Sequence, residues 1–175
     1  IDDYPGEVDA CAQAGRGYVL RRMITRCCSR SRLAVGLALT LNFAGFAAMR
    51  EGARLMLPRG EGKLFVTGAT AGLRGNPGYA AFAAAKAGLR LMAESAAREL
   101  WPQGIHVAHL VIDAGVDTEW VRARVAERIG AEALAAQPDL LMPPEVVSEA
   151  YWALYNQPKS AWTFEQVIRP FGETW

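Results

Sequence analysis

Histidine and cysteine are scarce in this chain of 175 residues: two of the first and three of the second. Three cysteines, Cys11, Cys27 and Cys28, are too few and too badly spaced for a disulfide framework. A bridge between the neighbours Cys27 and Cys28 is strained. They read as thiols of a reducing, cytoplasmic setting. His106 and His109 sit an odd interval apart in one strand-like run, so they point to opposite faces and do not share a metal. Asp113 and Asp117 find no further ligand set in the sequence, and no metal site is expected.

An excess of charge of one sign is also missing. Nineteen basic residues face eighteen acidic ones, for a net charge of +1. That balance gives no electrostatic reason to expect nucleic acid or an anionic membrane as partner. Long apolar runs are absent too. The longest uncharged stretch, residues 33–49, is flanked by Arg32 and Arg50 and carries Gly36, Thr40, Asn42 and Gly45. It is just short of a bilayer span and reads as a buried, interface-packed helix. The first 30 residues carry no apolar core followed by a small-residue cleavage site, so no secretory signal is expected. The first residue is Ile1, which fits a processed chain or a fragment.

What is present is a chain 51% hydrophobic and 21% charged, too apolar and too neutral for disorder. Without repeats or low-complexity linkers it reads as one domain, residues 33–175, preceded by an arm over residues 1–32 that is rich in arginine. The pattern predicts a helix over 33–57 that ends before Pro58, and a short strand over 63–67, apolar enough for burial on both faces. A glycine-rich loop, 68–78, follows. An alanine-rich helix over 79–101 is stopped by Pro102 and Gly104. A strand over 105–112, a helix over 118–129, a loop over 137–144, a helix over 145–155 and a last strand over 161–168 complete the chain. This alternation is the rhythm of a parallel α/β sheet flanked by helices.

The glycine loop, Thr67-Gly68-Ala69-Thr70-Ala71-Gly72-Leu73-Arg74-Gly75, comes close to a dinucleotide fingerprint. Its last interval is one residue too long, and Asn76-Pro77-Gly78 intervenes before the next helix, so it does not deliver a phosphate straight onto a helix end.

A second pattern fits better. Asn42-Phe43-Ala44-Gly45 precedes Ala69 by 27 residues counted from Asn42, Ala69 precedes Phe82 by 13, and Phe82 precedes Lys86 by four. Around them stand Gly72-Leu73-Arg74-Gly75, Ala85-Lys86-Ala87-Gly88, Arg98-Glu99-Leu100 and Gly104-Ile105-His106-Val107. Over residues 35–170 this resembles the active-site part of the short-chain dehydrogenase/reductase family. That family places an Asn on a helix, a Ser after a strand and a Tyr-x-x-x-Lys on the next helix.

The resemblance implies a Rossmann-like fold and a reaction that moves a hydride between NAD or NADP and a small carbonyl or alcohol. It places catalytic positions at Asn42, Ala69, Phe82 and Lys86. It places cofactor contacts at Lys86, Gly68, Asp113, Val116 and Thr118. Ile112-Asp113-Ala114-Gly115-Val116-Asp117-Thr118 lines up with the family's Pro-Gly-x-x-x-Thr loop, with Asp113-Ala114 in place of Pro-Gly. In relatives the Tyr hydroxyl exchanges the proton and the Ser positions the carbonyl. Ala69 and Phe82 carry no hydroxyl, so the expected function is an oxidoreductase impaired in proton transfer. The alternative is a non-catalytic binding or dimerisation module. Tyr79, Thr67 and Thr70 stand nearby as conceivable substitutes.

The family's Thr-Gly-x-x-x-Gly-x-Gly and Asn-Asn-Ala-Gly stretches do not occur in residues 1–41. The expectation is therefore a partial Rossmann domain whose first strand has an open edge. The resemblance also implies a homo-oligomer formed through the helices at 33–57 and 79–101. The pocket is expected to be shaped by residues 116–144.

Overall fold

The computed structural model describes residues 31–172. The cysteines and most of the N-terminal arm lie outside the described residues.

The described residues begin with α1 (Ser31–Met56), run into β1 (Gly62–Ala69), then α2 (Ala80–Leu100) and β2 (Ile105–Ile112). Helices α3 (Glu119–Ile129), α4 (Ala131–Ala135) and α5 (Pro144–Tyr155) precede the last strand, β3 (Glu165–Ile168). The two long helices end by the same device. Leu57-Pro58-Arg59 and Trp101-Pro102-Gln103 are single 3-10 turns, each with a proline that cannot continue an α-helical ladder. Each turn closes on a glycine in the left-handed region, Gly60 at φ 63° and Gly104 at φ 82°. Such a conformation costs glycine little and other residues much. The two turns meet, because a Cβ on Gly104 would run into the Gly60 carbonyl.

The three strands among the described residues are parallel, in the order β1-β2-β3. Gly62 lies opposite Ile105 and Ala69 opposite Ile112, while β3 pairs from His109–Glu165 to Ile112–Ile168. The central strand β2 is buried from Ile105 to Val111, as expected of a parallel strand covered on both faces. One face packs against α1 and α2 through Val66, Ile105, Val107, Met49, Ala93, Ala97 and Leu100. The other packs against α5 through Phe65, Ala108, Leu110, Tyr151 and Leu154.

Three expectations are corrected. Strand β1 is longer than 63–67 and mostly half-buried, with only Val66 and Gly68 fully buried. Among the described residues it is an edge strand with a single neighbour, β2. Strand β3 starts at Glu165 instead of residue 161. Residues 159–161 form a 3-10 turn, and the Gln157 side chain takes the Thr163 N–H at 2.8 Å, which diverts that stretch from the ladder. The 137–144 loop holds a 3-10 turn, Pro138–Leu140, and a parallel bridge between Val116 and Met142.

Candidate active site

The carboxyl ends of the three strands come together at Ala69, Ile112 and Ile168. Ligands of open α/β sheets bind outside these ends. Ala69 is the last residue of β1, in extended conformation (φ −149°, ψ 154°), and a 3-10 turn, Thr70–Gly72, follows at once. That turn rests on α2. A Cβ on Gly72 would lie 3.0 Å from both the Lys86 carbonyl carbon and the Lys86 Cβ. The glycine-rich segment is thus a turn clamped against the helix, and glycine is what allows the approach.

Lys86, one helical turn after Phe82, reaches β1 from α2. Its Nζ donates a 2.9 Å hydrogen bond to the Thr67 carbonyl. It also lies 5.8 Å from the centre of the Phe82 ring. Burial holds its pKa below the ordinary lysine value. Tyr79 lies edge-on to Phe82 with ring centres 6.4 Å apart, and both rings are partly exposed. Asn42 sits where α1 crosses α2. Its Oδ1 is 2.8 Å from where a Cβ on Gly88 would stand, so Gly88 makes room for it. Lys86 therefore reaches the carboxyl end of β1 with the Phe82 ring beside it, while Asn42 faces Gly88 of α2 from α1.

The two threonines flanking Ala69 are already engaged. The Thr67 hydroxyl pairs with the Tyr151 hydroxyl at 2.6 Å, on the α5 side of the sheet. The Thr70 hydroxyl donates to Asp113 Oδ1 in a short contact. Asp113, just past β2, is buried, and Arg169 Nη2 lies 2.9 Å from its Oδ2. Arg74 Nη2 stands 3.9 Å from Oδ1. Val116 bridges to Met142. Thr118 caps α3, its side chain accepting from the Val121 N–H at 3.3 Å. Asp117 is ion-paired to Arg122, with Nε 2.9 Å from Oδ1. Gly68 is buried in β1 against His109, whose Cε1 would be 2.5 Å from an added Cβ.

His106 and His109 do face opposite sides of the sheet. His106 stacks on Trp162 at 4.8 Å between ring centres, and its Nε2 is 2.9 Å from the Thr163 carbonyl. His109 Nδ1 is 3.0 Å from Glu165 Oε2. Burial, the dominant cause, holds both imidazoles below the usual histidine pKa. Glu165 also takes Arg90 Nη2 at 3.1 Å. Burial pushes Glu165 up, but Arg90 and His109 together bring it below the ordinary carboxylate value. Among the described residues no group of three or more His, Cys, Asp or Glu could hold a metal.

Arg74, Arg90, Arg169, Tyr151 and Glu165 were not singled out by the sequence. The spacing of Lys86, Arg90 and Glu94 at four-residue steps marks one helix face and was a readable sign. The pairing of that face with Glu165, 75 positions after Arg90, was not.

Residues 6–168 match the family described as enoyl-(acyl carrier protein) reductase. A short-chain dehydrogenase from Rhodopseudomonas palustris is 48% identical and superimposes with a TM-score of 0.60, covering 81% of this chain and 53% of that one. Sorbitol-6-phosphate 2-dehydrogenase from Erwinia amylovora is similar in fold (20% identity, TM-score 0.63, 81% of this chain and 60% of that one). So is a serine dehydrogenase solved with NADP+ (23% identity, TM-score 0.56, 69% and 48%). No curated protein matches the sequence. The chain belongs to the short-chain dehydrogenase/reductase family. It spans about half the length of the solved relatives it resembles.

Proposed function

We propose that this chain provides the carbonyl-facing site of an NAD(P)-linked oxidoreductase for a small carbonyl or alcohol, with proton transfer impaired. The observation that carries this reading is the Lys86 ammonium on the Thr67 carbonyl at 2.9 Å, beside Phe82 and Ala69. The groups that fit the nicotinamide end are Lys86, whose half-buried cation faces the strand ends, and Thr118 and Val116 on the loop after β2. The dinucleotide supplies or accepts the hydride when bound. Lys86 holds a positive charge at the end of β1. Phe82 and Ala69 give that position an apolar wall and no hydroxyl. Positioned acid–base catalysis contributes about 10²–10⁴-fold, so the wild-type chain turns over slowly or not at all.

The departures at Ala69 and Phe82 equally support a second reading, a non-catalytic binding or dimerisation module. NADH and NADPH titrations by calorimetry separate the two. Stoichiometric binding with measurable turnover of an aldehyde or ketone panel supports the enzyme. No binding of either nucleotide removes it.

A homo-oligomer through α1 and α2 belongs to the same proposal. A cleft of about 450 Å³ runs between the two helices, lined by Phe46, Met49, Ala53, Leu57, Met92 and Ala96 among others. Leu39 and Phe43 stand exposed on the same helix. Among the described residues no helix is long and apolar enough to cross a membrane. The cover we propose for this apolar face is a second copy. A cytoplasmic location follows from the cysteine usage.

A further inference from the structure

Three arginine and lysine side chains reach the strand ends: Arg74 from the loop after β1, Lys86 from α2 and Arg169 from the end of β3. Among the described residues the carboxylate there is Asp113, and it is paired with two of them. The adjoining Asp117 is neutralised by Arg122. Arg74 and Lys86 therefore bring positive charge to the crevice outside the strand ends.

The two arginines are not equivalent. Arg169 stands 2.9 Å from Asp113 Oδ2 with its side chain only 23% exposed. The Thr70 hydroxyl already donates to Oδ1. Asp113 is thus satisfied without Arg74, which stays 3.9 Å away with its side chain 48% exposed. A guanidinium offers five donors in a planar fork that matches a carboxylate or phosphate two-pronged. Arg74 is also fixed near the catalytic position. Its N–H bonds the Thr70 carbonyl at 3.0 Å, and Gly72, two residues before it, is seated on Lys86.

We infer that Arg74 is the anion receptor of this site and that the carbonyl substrate bears a small anionic group, a carboxylate or a phosphate ester. Arg169 and Thr70 hold Asp113 in place, so Arg74 can turn from the 3.9 Å contact to the ligand at little cost. This rests on the reading under Proposed function, which it deepens by naming the substrate class.

The test uses the full chain and three probes: acetoacetate, dihydroxyacetone phosphate and the neutral methyl acetoacetate. Binding is followed by saturation-transfer NMR and thermal shift, with no need for turnover. One or both anions are expected to bind saturably and at least 10-fold more tightly than the ester, and which one does identifies the group. Arg74→Gln is expected to weaken the anion 10–100-fold, to leave the ester unchanged and to unfold at the wild-type temperature. Arg74→Lys should recover part of the loss. The inference is overturned if the ester binds as well as the anions, if Arg74→Gln binds them normally, or if no probe binds. It is equally overturned if Arg74→Gln weakens ADP-ribose but not acetoacetate, since the arginine then serves the nucleotide. If NADH does not bind while acetoacetate binding depends on Arg74, the anion site stands and the oxidoreductase reading falls.

Discussion

The Lys86 ammonium donates to the Thr67 carbonyl at 2.9 Å while the ring beside it, Phe82, has nothing to protonate. The lysine is thus anchored at the strand end with no hydroxyl on the ring beside it. Phe82→Tyr combined with Ala69→Ser is expected to raise carbonyl reduction by about 10²–10⁴-fold over the wild-type chain. Adding Lys86→Met should abolish the gain. Absorbance of NADH or NADPH measures both, and a double variant no faster than wild type counts against the site assignment.

Gly68 and His109 fill one space between β1 and β2. A Cβ on Gly68 would meet the imidazole. Gly68→Ala is expected to cost about 1–3 kcal/mol, as overpacking of a tight core does. His109→Ala should relieve part of that cost, so the double variant loses less than the two singles together. Urea unfolding of the four proteins measures the coupling; strict additivity would show that the two residues do not compete for this space.

His106 and His109 have pKa values lowered by burial from 6.5. Below that value the unfolded chain binds protons that the folded chain refuses. Stability is therefore expected to be full above about pH 6.5 and to fall as the pH drops toward the lowered folded values. Glu165, lowered from 4.5, extends the loss to more acid pH. Melting temperature against pH in wild type and in His106→Asn/His109→Asn measures the effect. The first limb of the loss should be blunted in the variant.

Glu165 holds both Arg90 and His109. Glu165→Gln is expected to destabilise by about 1–3 kcal/mol, because partly buried partners lose a charged acceptor. The same change should push the His109 pKa further down, since the carboxylate is what opposes its burial. An NMR titration of the imidazole reads the shift directly; an unmoved His109 would mean that Glu165 does not govern it.

Phe43 and Phe46 are 74% and 52% exposed on α1. If a second copy covers them, Phe43→Glu with Phe46→Glu is expected to leave a folded monomer. Sedimentation velocity measures the mass of both proteins. A wild-type chain that is monomeric at every concentration removes this interface.

Much of the fold was legible because its signals are local. The proline–glycine stops at Pro58–Gly60 and Pro102–Gly104 fix where both long helices end. The apolar run Ile105–Ile112 marks the central strand, and the odd spacing of His106 and His109 put them on opposite faces. The ends of β1 and β3 were not legible. Strand length depends on which neighbour offers hydrogen bonds, and Gln157 draws Thr163 out of the ladder. The spacing of Asn42, Ala69, Phe82 and Lys86 is the sequence signal for the proposed site. It did not show that Thr67 and Thr70, the candidate substitutes, are bound to Tyr151 and Asp113.

The sequence by itself determined the helix stops and the parallel α/β rhythm, since residue identity and short-range spacing decide these. The tertiary structure alone decided which charges meet: Arg90 with Glu165, and Arg74 and Arg169 with Asp113. These partners lie far apart along the chain. The parallel register brings the carboxyl ends of the strands, and with them Arg74, Asp113 and Arg169, to one side, while the packing of α2 on the sheet sets Arg90 against Glu165 at the start of β3.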